Sequence, residues 1–177
     1  MVNQYGADYL KKAGIKTAYF IIPTEKMTLR RMTPISTEGP NFETQLKAKG
    51  LVPKEIKNNE YRVGLLPVGV EMLTQAGHKV FIEKNAGIGS GVKDEDFRQA
   101  GAAILHSAAQ VYNKAQLIVK IKEPLPQEYH FLKEGQLVFT FFHFAASRPL
   151  TKAMLNKKII AFAYETLQLE TGELPCL

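Results

Sequence analysis

Residues 117–147 read LIVKIKEPLPQEYHFLKEGQLVFTFFHFAAS. Two short apolar runs, Leu117–Ile121 and Leu137–Phe142, are nearly unbroken, as strands of a sheet buried on both faces require. The first passes into Lys122, followed by Glu123-Pro124. The second passes into His143, followed by Phe144-Ala145-Ala146-Ser147. In an open α/β sheet the ligand crevice lies beyond the carboxyl ends of the strands. This pattern therefore directs Lys122 and His143 towards one crevice. A cation that fixes a carboxylate and a group that trades protons are the parts that small-acid chemistry needs.

The segments on either side fit the same plan. Upstream, Pro67 marks the first turn of a helix over Val68–Ala76 that Gly77 stops. Lys79–Ile82 predicts a strand and NAGIGSGV a glycine loop. Asp94-Glu95-Asp96 predicts the acidic start of a helix running through Ala100. Ala102–Leu105 predicts a short strand, and Ser107 caps a helix to about Lys114. Within and beyond the opening stretch, Gln127–Lys133 and Pro149–Asn156 predict helices and Ile159–Tyr164 a strand. Strand and helix alternate with short connections, so the fold class is α/β with a mostly parallel open sheet flanked by helices.

Residues 1–50 read differently and form an irregular N-terminal extension. Ala7–Ala13 predicts a short helix and Thr17–Ile22 a β-rich run, while Thr24–Pro40 is polar, broken by Pro34, Gly39 and Pro40, and without period. Leu46–Val52 is weak as a strand. The regular pattern begins there, which sets one domain over residues 51–177.

Composition bounds the function. The 177 residues suit one domain with an appendage. The net charge of +6 is scattered over Lys11-Lys12, Arg30-Arg31, Lys47, Lys49 and Lys157-Lys158, which predicts a solvated surface and no nucleic-acid groove. The single cysteine, Cys176, rules out an internal disulfide and a multi-cysteine metal site and suits a reducing cytoplasm. No run of about 18 apolar residues predicts a membrane span.

Each candidate group has a plainer explanation. Gly87-Ile88-Gly89-Ser90-Gly91 follows a strand, but its third glycine falls one residue early for a dinucleotide fingerprint. The acidic residue expected about 20 positions on is replaced by Leu105-His106. A tight turn is the better reading. Histidine can both give and take a proton near neutrality, so His143 is either the acid/base or a core-edge side chain. His78, His106 and His130 read as structural or solvated. Lys122 competes with Lys120, which strand alternation puts on the same face, and it could equally pair with Glu123. Arg62, in NNEYRVGLLP, is a loop arginine able to fork onto a carboxylate.

In combination the segments PKEIKNNEYRVGLLPVGVEML, GHKVFIEKNAGIGSG, IVKIKEPLPQEY, GQLVFTFFHFAAS and IAFAYETLQLETGELPCL resemble, in order and spacing, the N-terminal part of alanine dehydrogenase. The resemblance covers Val52–Leu177. The related N-terminal domain of proton-translocating nicotinamide nucleotide transhydrogenase fits less well around the lysine and histidine motifs. Residues 1–50 match neither, and Gly50-Leu51-Val52-Pro53 replaces the family's usual first-strand ending.

The resemblance implies a Rossmann-like or flavodoxin-like substrate domain and NAD-dependent interconversion of L-alanine with pyruvate and ammonia. It assigns substrate binding to Arg62 and Lys122 and acid/base catalysis to His143, with Lys122 also catalytic and Glu55, Tyr164 and Glu165 in support. It implies a cytoplasmic homo-hexamer with no metal, no nucleic acid and no membrane partner. NAD would be held by a nucleotide-binding domain that the family carries beyond the position of Leu177. No residue of this chain is therefore expected to bind the cofactor, and the chain alone is expected not to turn over. The alternatives are a non-catalytic small-acid-binding module or a partner-dependent subunit, including one like a transhydrogenase α subunit.

Overall fold

The computed structural model describes residues 15–17, 49–169, 172–174 and 176–177. The expected helix Ala7–Ala13 and the polar stretch Thr24–Pro40 lie outside the described residues. Of the expected strand Thr17–Ile22 only Thr17 is described, as the end of β1 (Ile15–Thr17). That strand pairs antiparallel with β8 (Gln168–Leu169).

The main sheet is built from β2 (Lys49–Val52), β3 (Lys79–Glu83), β4 (Ala103–Leu105), β5 (Leu117–Lys122), β6 (Leu137–Phe141) and β7 (Ile160–Ala163). Its order is β4-β3-β2-β5-β6-β7, with every neighbouring pair parallel. The chain thus starts at the centre, winds outward to β4, returns beside β2 as β5 and winds outward again. This is the doubly wound order of Rossmann folds rather than the flavodoxin order. The stretch expected to be weak as a strand is the axis of the fold. β2 shows little pattern because it has only four residues, and both faces are covered by Leu51 and Val52, at 0% and 1% exposure.

Helices cover both faces. On one side α1 (Pro67–Gln75) and α2 (Asp94–Gln99) bury Val70 and Phe97 against Val52, Val80 and Ile82. On the other, α3 (Ala108–Lys114) and α4 (Arg148–Lys157) bury Val111, Tyr112, Leu150 and Met154 against Leu51, Ile118, Val138 and Ala161. The caps are local and legible. Ser107 Oγ accepts the Gln110 N–H at 3.4 Å, and Ser147 Oγ accepts that of Leu150 at 3.3 Å.

Two elements differ from expectation. Pro126–Phe131 is a 3-10 helix rather than an α-helix over Gln127–Lys133. The buried Glu128 carboxylate draws in the Leu125 N–H at 2.8 Å and tightens the turn. Likewise β7 stops at Ala163, and Tyr164–Thr166 leaves the strand as another 3-10 helix.

Candidate active site

The winding reverses between β2 and β5, so the crevice of such a sheet opens beyond their carboxyl ends. Lys122 closes β5. In the β5–β6 register it lies opposite Phe141, which places His143 two residues past the end of the neighbouring strand. Arg62 arrives on the loop between β2 and α1. This loop lies directly on β5: a Cβ on Gly64 would sit 2.8 Å from the Val119 carbonyl oxygen. The glycine loop after β3 props the other side. A Cβ on Gly89 would strike the Tyr61 carbonyl, and Ser90 Oγ donates to that oxygen at 3.2 Å.

Arg62 forks onto a carboxylate, and the carboxylate is the chain's own. Nε and Nη2 donate to Glu60 Oε1 and Oε2 at 2.8 and 2.7 Å, and the Arg62 backbone N–H adds a third bond at 3.0 Å. The Arg62 side chain is 61% exposed, so its remaining N–H donors are open to solvent. These hydrogen bonds, with a smaller contribution from the charge of Lys122, hold the Glu60 carboxyl down at about 2. Arg62, Glu60 and Lys122 are therefore one electrostatic group. Sequence reading missed Glu60, although its place two residues before Arg62 in an extended segment puts both side chains on one side.

The two lysines part company. Lys120 is 1% exposed, its ammonium 2.9 Å from Glu128 Oε1 and 3.3 Å from Glu55 Oε2. Tyr112 donates to the same Glu128 oxygen at 2.8 Å, and Glu55 Oε1 accepts the Ile121 N–H at 2.6 Å. Burial pushes the Glu55 carboxyl up, against the pull of Lys120. Lys120 is thus committed to the interior, whereas Lys122 stands half-buried at the end of β5. The alternative pairing of Lys122 with Glu123 is not formed, because Glu123 pairs with Lys57 reaching across from the β2 loop. Among the described residues Lys122 has no ion-pair partner.

His143 is exposed and sits in the left-handed region at φ 52°, ψ 41°, which costs a non-glycine residue about 1 kcal/mol. Its ring stacks on Phe141 at 5.9 Å, and the Glu165 carboxylate accepts its backbone N–H at 2.6 Å. The other histidines are elsewhere. His78 sits in the turn before β3, His106 follows the edge strand β4, and the His130 ring meets Phe131 at a tilt, centroids 3.8 Å apart.

A model of the alanine dehydrogenase/PNT N-terminal domain matches residues 51–177. The chain belongs to this family. Alanine dehydrogenase of Methanococcus maripaludis is 55% identical over 126 residues, which are 71% of this chain and 34% of the relative. That of Mycolicibacterium smegmatis is 49% identical over the same shares. A solved L-alanine dehydrogenase superposes with a TM-score of 0.70 at 49% identity, covering 72% of this chain and 35% of its own. A transhydrogenase from Sinorhizobium meliloti follows at 0.63 and 29%, covering 66% of this chain and 33% of its own. The chain therefore spans about a third of the length of these alanine dehydrogenases. Family membership accounts for the wholly parallel sheet, and Lys49–Val52 is its first strand despite the altered ending.

Proposed function

We propose that the chain is the substrate-binding and proton-transferring part of an NAD-dependent L-alanine dehydrogenase, which interconverts L-alanine and water with pyruvate and ammonia. The observation that carries this reading is the mouth of the crevice. Arg62 and Lys122 bring two cations there against one fixed anion, Glu60, with His143 on the adjacent strand end. The free N–H donors of Arg62 and the Lys122 ammonium hold the carboxylate and carbonyl oxygen of pyruvate. His143 takes and returns the proton as water and ammonia exchange at the keto carbon. Residues 1–50 are an extension to this domain, the parent enzyme is a cytoplasmic homo-hexamer, and no nucleic acid, metal or membrane takes part. No helix among the described residues is long and apolar enough to cross a membrane.

The described residues do not fit a dinucleotide. The glycine loop is filled from behind by Tyr61 and closed by the 3-10 turn Ile88–Ser90, and the helix that follows opens on Asp94-Glu95-Asp96, whose carboxylates repel a pyrophosphate. This chain's own chemistry ends with binding the acid and moving its protons. A transhydrogenase-like subunit is the runner-up, favoured only by the weaker likeness to the Sinorhizobium meliloti protein.

Pyruvate titration of the chain, followed by amide NMR shifts, tests the reading. Arg62→Ala and Lys122→Ala should each weaken binding roughly 10–100-fold, the worth of a hydrogen bond to a charged group. In the chain supplied with the nucleotide-binding part of an alanine dehydrogenase, His143→Ala should abolish turnover. Near-normal rates in that variant would refute the role given to His143.

A further inference from the structure

We infer that Glu165 is the positioning residue that aims His143 into the crevice, an inference that rests on the proton-transfer role proposed above. The β6–β7 ladder ends where Thr140 meets Ala163, after which the chain of β7 turns off into the 3-10 helix Tyr164–Thr166. The N–H groups of Phe142 and His143 thus lie past the last strand partner. The Glu165 carboxylate takes the place of the missing strand, accepting Phe142 N–H at 3.3 Å and His143 N–H at 2.6 Å. On the other side of the turn the Ala146 N–H donates to the His143 carbonyl at 2.9 Å. A histidine held at φ 52° is fixed only if its neighbours over-determine it, and here a carboxylate and a helical turn grip it from both sides.

The ring is backed by the same short segment. The imidazole stacks on Phe141 with planes 13° apart, and Phe141 meets Tyr164, the residue before Glu165, edge-on at 4.8 Å. One dipeptide therefore supports both the backbone and the ring of the proton-transferring residue. Other carboxylates also cap strand ends here. Glu83 accepts the Lys54 N–H at 2.8 Å, and Glu55 accepts that of Ile121. Those two sit with the buried charges around Lys120, whereas the hydrogen bonds of Glu165 go to the His143 turn.

Two readouts test this. In the 177-residue chain, Glu165→Ala should speed hydrogen exchange at the Phe142 and His143 amides by roughly tenfold or more, with Val138 and Ala161 unchanged. Glu165→Gln keeps an acceptor oxygen and should recover part of the protection. In the chain joined to an alanine dehydrogenase nucleotide-binding part, Glu165→Ala should lower kcat roughly 10–100-fold. KM for pyruvate should stay within about threefold, because Arg62 and Lys122 are untouched. Unchanged exchange at His143 would overturn the inference, as would freed amides with an undiminished kcat, or a loss confined to KM. No turnover in the joined wild-type chain would overturn the dehydrogenase reading instead, on which the exchange readout does not depend.

Discussion

Lys120→Met would leave the carboxylates of Glu55 and Glu128 in the interior with no cation between them. The side chains of Lys120, Glu55 and Glu128 are 1%, 2% and 4% exposed, so water cannot substitute for the ammonium. The N–H groups of Ile121 and Leu125 and the Tyr112 hydroxyl remain as donors, but none carries charge. Removing one partner from a buried pair costs about 3–5 kcal/mol. A whole domain holds only about 5–15 kcal/mol. With a urea slope near 2 kcal/mol per molar, the unfolding midpoint should fall by about 1.5–2.5 M. The pH dependence supplies a second check. Burial already raises the Glu55 carboxyl above 4.5, and losing Lys120 raises it further, so the folded variant binds more protons than its unfolded chain. Its stability should therefore increase as pH falls from neutrality towards 4.5, narrowing the deficit against wild type. Adding Glu55→Gln and Glu128→Gln should restore most of the loss. A deficit below about 1 kcal/mol, the size of an exposed pair, would refute the buried-charge account. So would a deficit that stays flat between about pH 8 and pH 5.

Lys122→Met should show the opposite split: urea stability within about 0.5 kcal/mol of wild type, and pyruvate binding weakened roughly 10–100-fold in the same NMR titration. Gly64→Ala puts a methyl 2.8 Å from the Val119 carbonyl, with the Lys120 backbone also inside 3.4 Å. It should cost about 1–3 kcal/mol in urea denaturation and weaken pyruvate binding by lifting the Arg62 loop. Because Arg62 holds the Glu60 carboxyl at about 2, the stability Glu60 contributes is present above 4.5 and lost as pH falls through about 2. In Arg62→Gln the Glu60 carbonyl carbon should titrate closer to 4.5 by NMR, and an unmoved titration would refute the pairing.

What could be read from the residues, and what could not, follows physical lines. β5 and β6 are unbroken apolar runs because both faces of a central parallel strand are buried, so their ends at Lys122 and His143 were visible. β2 was nearly invisible, since two buried residues set no period, yet it is the axis of the sheet. Strand alternation assigns Lys120 and Lys122 to one face but cannot tell an interior lysine from one at the strand end, and the ladder is irregular between Val119 and Lys122. That difference depends on Glu55 and Glu128, which arrive from distant segments. The same holds for Lys57 and Glu123, 66 positions apart, whose pairing takes the place of the alternative contact of Glu123 with Lys122. Carboxylates acting on backbone N–H groups leave no spacing signature, so Glu165 could be given a supporting role only through resemblance.

The charge count at the crevice explains why lysines two residues apart have different work. Glu123 cancels Lys57, and the lowered carboxyl of Glu60 stays ionised beside Arg62. Arg62 and Lys122 then stand as cations near the ionised Glu60, while the Glu165 carboxylate is engaged by the backbone N–H groups of Phe142 and His143. Lys120 adds no further free cation, because it is buried between Glu55 and Glu128. Glu60 takes one edge of the Arg62 fork and leaves the remaining N–H donors to a substrate. Displacing Glu60 would strand an ionised side chain only 6% exposed, so an incoming carboxylate is better accommodated by sharing the guanidinium than by exchange.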